Sequence, residues 1–149
     1  MVEVGIIGEL GIRGSFGLSV IGAFAGALVV GSATIGAWKK CIMQNKPASF
    51  ILVAFAGQPL TNIIYGFITM NSLHTHAYSG GNLSEIQLLF LGLFAGIGIG
   101  GAAYVQCYNG ACASEAYAET GQGFGNYMMV IGICETIALF TMVFTILYT

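Results

Sequence analysis

The segment Met128-Met-Val-Ile-Gly-Ile-Cys-Glu135-Thr-Ile-Ala-Leu-Phe140 places one carboxylate inside an apolar run that extends from Gly123 to Tyr148. About 20 apolar residues suffice for a helix that crosses a bilayer, so the run is long enough to span. An ionisable side chain at that depth costs roughly 3 kcal/mol or more, and such residues commonly mark an ion or proton path. Glu135 is therefore the residue around which function is to be sought.

The rest of the chain supports a membrane setting. Of 149 residues, 56% are hydrophobic and 7% are charged, against about 25% charged in a soluble domain. Three further stretches, Ser15 to Trp38, Pro47 to Leu73 and Ile86 to Ser114, are free of charge and long enough to span. The charges Arg13, Lys39, Lys40, Lys46, Glu85, Glu115 and Glu119 fall between or beside these stretches. The expectation is an all-α integral membrane protein with four transmembrane helices. Four spans put both termini on one side. Lys39, Lys40 and Lys46 crowd the first connection, and Lys/Arg bias sets orientation. The loops joining spans 1 and 2 and spans 3 and 4 are thus expected in the cytoplasm, with both termini and the His74–Asn82 loop outside. Glu3 and Glu9 stand where a signal peptide would carry basic residues, so no cleaved leader is expected.

Several function classes are disfavoured. Without a basic patch there is no case for nucleic acid. The four cysteines (Cys41, Cys107, Cys112 and Cys134) lack zinc-site spacing and read as small apolar packers. The chain has no Asp, so a Ser/His/Asp triad is impossible, and His74 and His76 sit in an outer loop without matching metal ligands.

An internal repeat divides the single domain 1–149 into two hairpins, about 10–75 and about 83–149. Gly22-Ala-Phe-Ala-Gly26 recurs as Gly92-Leu-Phe-Ala-Gly96, and Gly57-Gln-Pro-Leu-Thr61 aligns with Gly132-Ile-Cys-Glu-Thr136. Leu60 then stands where the second copy has Glu135, which predicts one carboxylate per subunit. The 23 glycines are about twice the usual share. Gly22, Gly26 and Gly36 on the first helix, and Gly92, Gly96 and Gly100 on the third, predict closely approaching backbones in a layer that continues into neighbouring subunits.

Polar residues inside the spans are few: Gln58, Thr61, Asn62 and Tyr65 around Pro59, then Gln106, then Thr136 beside Glu135. If Gln106 and Glu135 share a depth on antiparallel helices, the turn between them falls in Thr120-Gly121-Gln122-Gly123, a good turn signal. If Thr61 and Asn62 share that depth with Gln106, the preceding turn falls beside Gly80-Gly81-Asn82. The clusters are thus expected to meet. Hard cations take oxygen ligands: a carboxylate from Glu135, a hydroxyl from Thr61, amide oxygens from Gln106 and Asn62. Pro59 has no N–H, so it is expected to free a carbonyl about one turn earlier, beside the cluster. Tyr65 is positioned to donate to Glu135. A protonated carboxyl carrying H+ is the competing reading, and Thr69, Thr141 and Thr145 read as interhelical polar glue.

Taken together, tandem glycine-rich hairpins, a carboxylate only in the fourth helix and the motif Pro59-Leu-Thr-Asn-Ile-Ile-Tyr65-Gly-Phe67 resemble the four-helix membrane rotor proteolipid of V-type ATPases over nearly the whole chain. The resemblance implies a ring of identical subunits in membrane lipid, turning against a stator subunit with an essential arginine. It implies central-stalk partners on the cytoplasmic side and ATP hydrolysis on soluble subunits. No Walker pattern occurs here, in keeping with a non-catalytic, ion-carrying chain. By resemblance to sodium-translocating members, Glu135, Gln106, Thr61 and Asn62 are the expected Na+ ligands. Gln58 stands at the position that supplies a backbone carbonyl, and Tyr65 at the tyrosine that bonds the carboxylate. Asn62 replaces the family's Gln with a side chain one methylene shorter. Na+ is favoured over H+ because the cluster offers more oxygens than a proton needs. The implied setting is a multi-pass protein of a prokaryotic plasma membrane. The alternatives are a proton-carrying rotor subunit and a stand-alone four-helix cation carrier.

Overall fold

A computed structural model describes residues 4–149, so Glu3, part of the leader argument, lies outside the described residues. All regular elements among them are helical: α1 (Ile6–Met43), α2 (Leu52–Ala56), α3 (Pro59–Tyr78), α4 (Glu85–Thr120) and α5 (Phe124–Tyr148). With α2 and α3 counted as one broken span, four helices are long and apolar enough to cross a membrane. The chain is an integral membrane protein of the expected all-α class.

Helices α1 and α4 have 38 and 36 residues, about 57 and 54 Å at 1.5 Å per residue. Each exceeds the roughly 30 Å hydrocarbon core, so both project past it, which is why they outrun the apolar stretches read from the sequence. Local chemistry sets their ends. Asn45 adopts φ 55° just past α1, and the Lys46 N–H reaches back to the Cys41 carbonyl at 2.9 Å, closing exposed carbonyls as a left-handed C-cap does. Ser84 opens α4 with a capping box: its hydroxyl accepts from the Gln87 N–H while the Gln87 side chain accepts from the Ser84 N–H at 2.9 Å. Gly121 (φ 66°) and Gly123 (φ 85°) then make the expected tight turn into α5.

The most extensive contact joins α1 to α4, which run parallel. A Cβ on Gly22 would fall on the Gly100 backbone, and one on Gly92 would fall on the Gly11 carbonyl. Gly96 and Gly100 likewise face the backbone of Gly14 to Ser19. In lipid, close backbone approach and packing drive helix association, and this seam supplies both. Two details depart from the sequence pattern. Gly22 meets Gly100, about two turns beyond its sequence counterpart Gly92, and Gly36 faces open space with nothing within 4 Å. Gly11, absent from the expected set, completes the seam instead.

Helix α3 packs on α1, α4 and α5, and α5 packs on α4 and α3. Only Ile131, Ala138 and Thr145 of α5 are buried, so most of this helix faces outward. Phe55 is fully buried against Tyr117, Phe124 and Tyr127 at one end of the bundle. Ile12, Leu73, Ala77 and Leu88 fill the other end. Lys40 pairs with Glu119 and Lys46 donates to the Glu119 carbonyl, so loops 1–2 and 3–4 meet at the Phe55 end.

Gly22→Val should cost about 1–3 kcal/mol by forcing α1 off α4, read as a lower melting temperature of the detergent-solubilised subunit. Gly36→Val, at an open position, should leave that temperature unchanged in the isolated subunit.

Candidate functional site

The helix break that precedes Pro59 shapes the site. The chain leaves α2 at Ala56, turns through Gly57 and Gln58, and re-enters a helix with Pro59 in the first turn, where its missing N–H is tolerated. The Phe55 carbonyl, deprived of its helical donor, points at α4: a Cβ on Gly110 would stand 3.0 Å from it. This differs from the expectation that Pro59 frees an acceptor beside the polar cluster. Two groups at Gln58 take that place. Its side-chain Nε2 donates to the Ala54 carbonyl at 2.9 Å and bridges the break. Its own carbonyl accepts from the Thr61 hydroxyl at 3.0 Å.

One turn into α3, Asn62 is fully buried and donates from Nδ2 to Gln106 Oε1 at 2.5 Å. Gln106, also fully buried, spends its amide nitrogen on two acceptors, Gln58 Oε1 at 3.2 Å and Glu135 Oε2 at 3.4 Å. The Tyr65 hydroxyl donates to Glu135 Oε1 at 3.1 Å. Glu135 is half-buried on the outward helix α5, with exposed Ile133 and Ile137 around it. Its two oxygens thus each accept one hydrogen bond, from α3 and from α4. Both oxygens are thereby partnered, as polar groups shielded from water need to be, yet no positive charge is supplied.

Of the residues expected at the site, Glu135, Gln106, Asn62, Gln58 and Tyr65 form one connected network, and Thr61 joins it through the Gln58 carbonyl. Thr136 does not join: its exposed hydroxyl bonds back to the Ile133 carbonyl at 2.7 Å. Pro59 acts only through the break. Thr69 and Thr145 bond to carbonyls of their own helices, as does Thr141, without bridging helices. Leu60, the sequence counterpart of Glu135, is 64% exposed and belongs to the outer surface. Two polar pairs escaped the sequence reading. Asn109 donates to Cys134 Sγ at 3.1 Å, so Cys134 is more than an apolar packer. The Thr34 and Ser114 hydroxyls meet at 3.2 Å between α1 and α4. Asn109 lies one turn beyond Gln106 on the same helix, which is the signal that could have found it.

Fold and site together define a four-span helical membrane protein with one carboxylate held at bilayer depth by amide and phenol donors. Residues 89–148, covering nearly all of α4 and α5 and thus both Gln106 and Glu135, match the family of the ATP synthase C subunit. No match was found among curated proteins.

Tyr65→Phe removes one of the two donors to Glu135, and a hydrogen bond to a charged group is worth about 1.5–3 kcal/mol. Glu135 should therefore react about tenfold or more faster with a carboxyl-reactive carbodiimide, whereas Thr136→Ala should leave the rate unchanged, both read by labelling of purified protein.

Proposed function

We propose that the chain is an ion-translocating rotor subunit of a V-type ATPase that carries one Na+ at Glu135. The observation that carries this reading is that Tyr65 and Gln106 both donate to a single carboxylate within an apolar span, with Gln58, Asn62 and Thr61 linked behind them. The similarity of residues 89–148 to the ATP synthase C subunit supports the rotor role.

In this reading, identical copies close into a ring, with the α1–α4 layer facing its centre and α5 facing lipid and the stator. A half-buried carboxylate on the outward helix α5 suits that arrangement, because the ion site must meet a stator group as the ring turns. Passage through lipid demands a neutral carrier, since a bare charge there is strongly disfavoured. A bound cation, or a proton, neutralises Glu135. When the ion leaves, the carboxylate needs a positive partner, the role of the stator arginine. ATP hydrolysis on soluble subunits turns the ring through a central stalk docked on the cytoplasmic loops, which are the 44–51 connection, with Lys46 in it and Lys39 and Lys40 at the end of α1 before it, and the 121–123 turn. Both termini lie outside, and the membrane is a prokaryotic plasma membrane.

Sodium is preferred to a proton on donor chemistry. The Glu135 carboxylate, the Thr61 hydroxyl, the Gln58 carbonyl and, once its amide turns, the Gln106 oxygen would supply the oxygens that a hard cation takes.

Glu135→Gln should abolish ATP-driven ion uptake by the reconstituted complex while the ring still assembles by native mass. Uptake at the wild-type rate in that variant would refute the assignment. Na+ near neutral pH should protect Glu135 from a carboxyl-reactive carbodiimide, and equal labelling with and without Na+ would point to protons instead.

A further inference from the structure

The amide of Gln106 has two ends with opposite chemistry, and the structure assigns them to different neighbours. Its nitrogen lies between two oxygens, Gln58 Oε1 at 3.2 Å and Glu135 Oε2 at 3.4 Å. Its oxygen is held at the other end by Asn62 Nδ2. An N–H group carries partial positive charge, so the Gln106 nitrogen occupies a point that two oxygens already share and that suits a cation. Asn62 has no such position. It sits behind Gln106, bonded to the amide end that does not contact Glu135, and its own Oδ1 is buried without a hydrogen-bond partner.

A cation is attracted by oxygen and repelled by N–H. For Gln106 to contribute to a cation at Glu135, its amide must turn so that Oε1 replaces Nε2 on the Gln58 and Glu135 side. That turn breaks the bond from Asn62 and would set two N–H groups face to face unless Asn62 turns as well. We infer that the side-chain oxygen of Gln58 completes the cation shell beside Glu135, and that Asn62 is a positioning residue. It holds Gln106 in the orientation that satisfies the empty carboxylate. This rests on the sodium reading above and assigns the roles within its site.

The two roles predict opposite consequences. In purified rings, the Na+ concentration that half-protects Glu135 from carbodiimide should rise by about tenfold in Gln58→Leu, and Gln58→Met should behave alike. Loss of one oxygen should weaken Na+ more than the smaller Li+, which needs fewer ligands, whereas a merely loosened helix break would weaken both alike. In Asn62→Leu the clamp is gone and Gln106 turns freely, so half-protection should occur at the same or lower Na+. Unchanged protection in Gln58→Leu, an equal loss for Na+ and Li+, or an approximately tenfold loss in Asn62→Leu would overturn the assignment. If neither Gln58 variant assembles, the direction of the Asn62→Leu effect decides it. Absence of Na+ protection in the wild type, with Glu135 still labelled, would instead remove the sodium reading and this inference with it.

Discussion

A carboxylate at bilayer depth must be given donors or a cation, and the architecture around Glu135 follows from that constraint. Water cannot supply the donors in hydrocarbon, so they must come from neighbouring helices. Tyr65 provides one from α3 and Gln106 provides the other from α4. Gln106 is then itself a buried amide with needs of its own, met by Asn62 and Gln58. One charge thus recruits a chain of polar groups across three helices, and each helix must hold a fixed depth and rotation for that chain to close.

The glycine seam makes this register possible. Where α1 and α4 touch backbone to backbone, sliding or rotation of one on the other would drive side chains into the main chain. A helix pinned in this way presents Gln106 at a defined height. The aromatic cluster around Phe55 and the apolar layer around Leu73 and Leu88 close the bundle above and below the polar level. The helix break at Gly57 and Gln58 adds a further element. It frees a glutamine side chain to cap a carbonyl with one end and to face Gln106 with the other. A regular helix would have bonded the Ala54 carbonyl through a backbone N–H and left that side chain without its role.

Much of the site could be read from the chain because membrane spans tolerate so few polar residues. With Gln58, Thr61, Asn62, Tyr65, Gln106 and Glu135 standing almost alone in apolar sequence, a common depth followed from the turn positions alone. Those turns lie where the arithmetic put them, at 121–123 and just before Glu85. The reading failed where it needed side-chain direction. Thr136 adjoins Glu135 in sequence yet its hydroxyl turns back onto its own helix. The carbonyl freed by Pro59 faces Gly110, and Gly36 faces open space, since the rotation of a helix about its axis is set by packing.

The sequence by itself determined the four spans, the single carboxylate, the break at Pro59 and the set of residues able to meet at one depth. Hydrophobic run length and the cost of polar groups in lipid are local properties, so they are written residue by residue. Tertiary structure decided which end of each amide faces Glu135, that Gly22 meets Gly100 and not Gly92, and that Asn62 stands behind Gln106 and not beside the carboxylate. Those outcomes depend on helix rotation and on competition among hydrogen-bond partners, which exist only once the helices have packed.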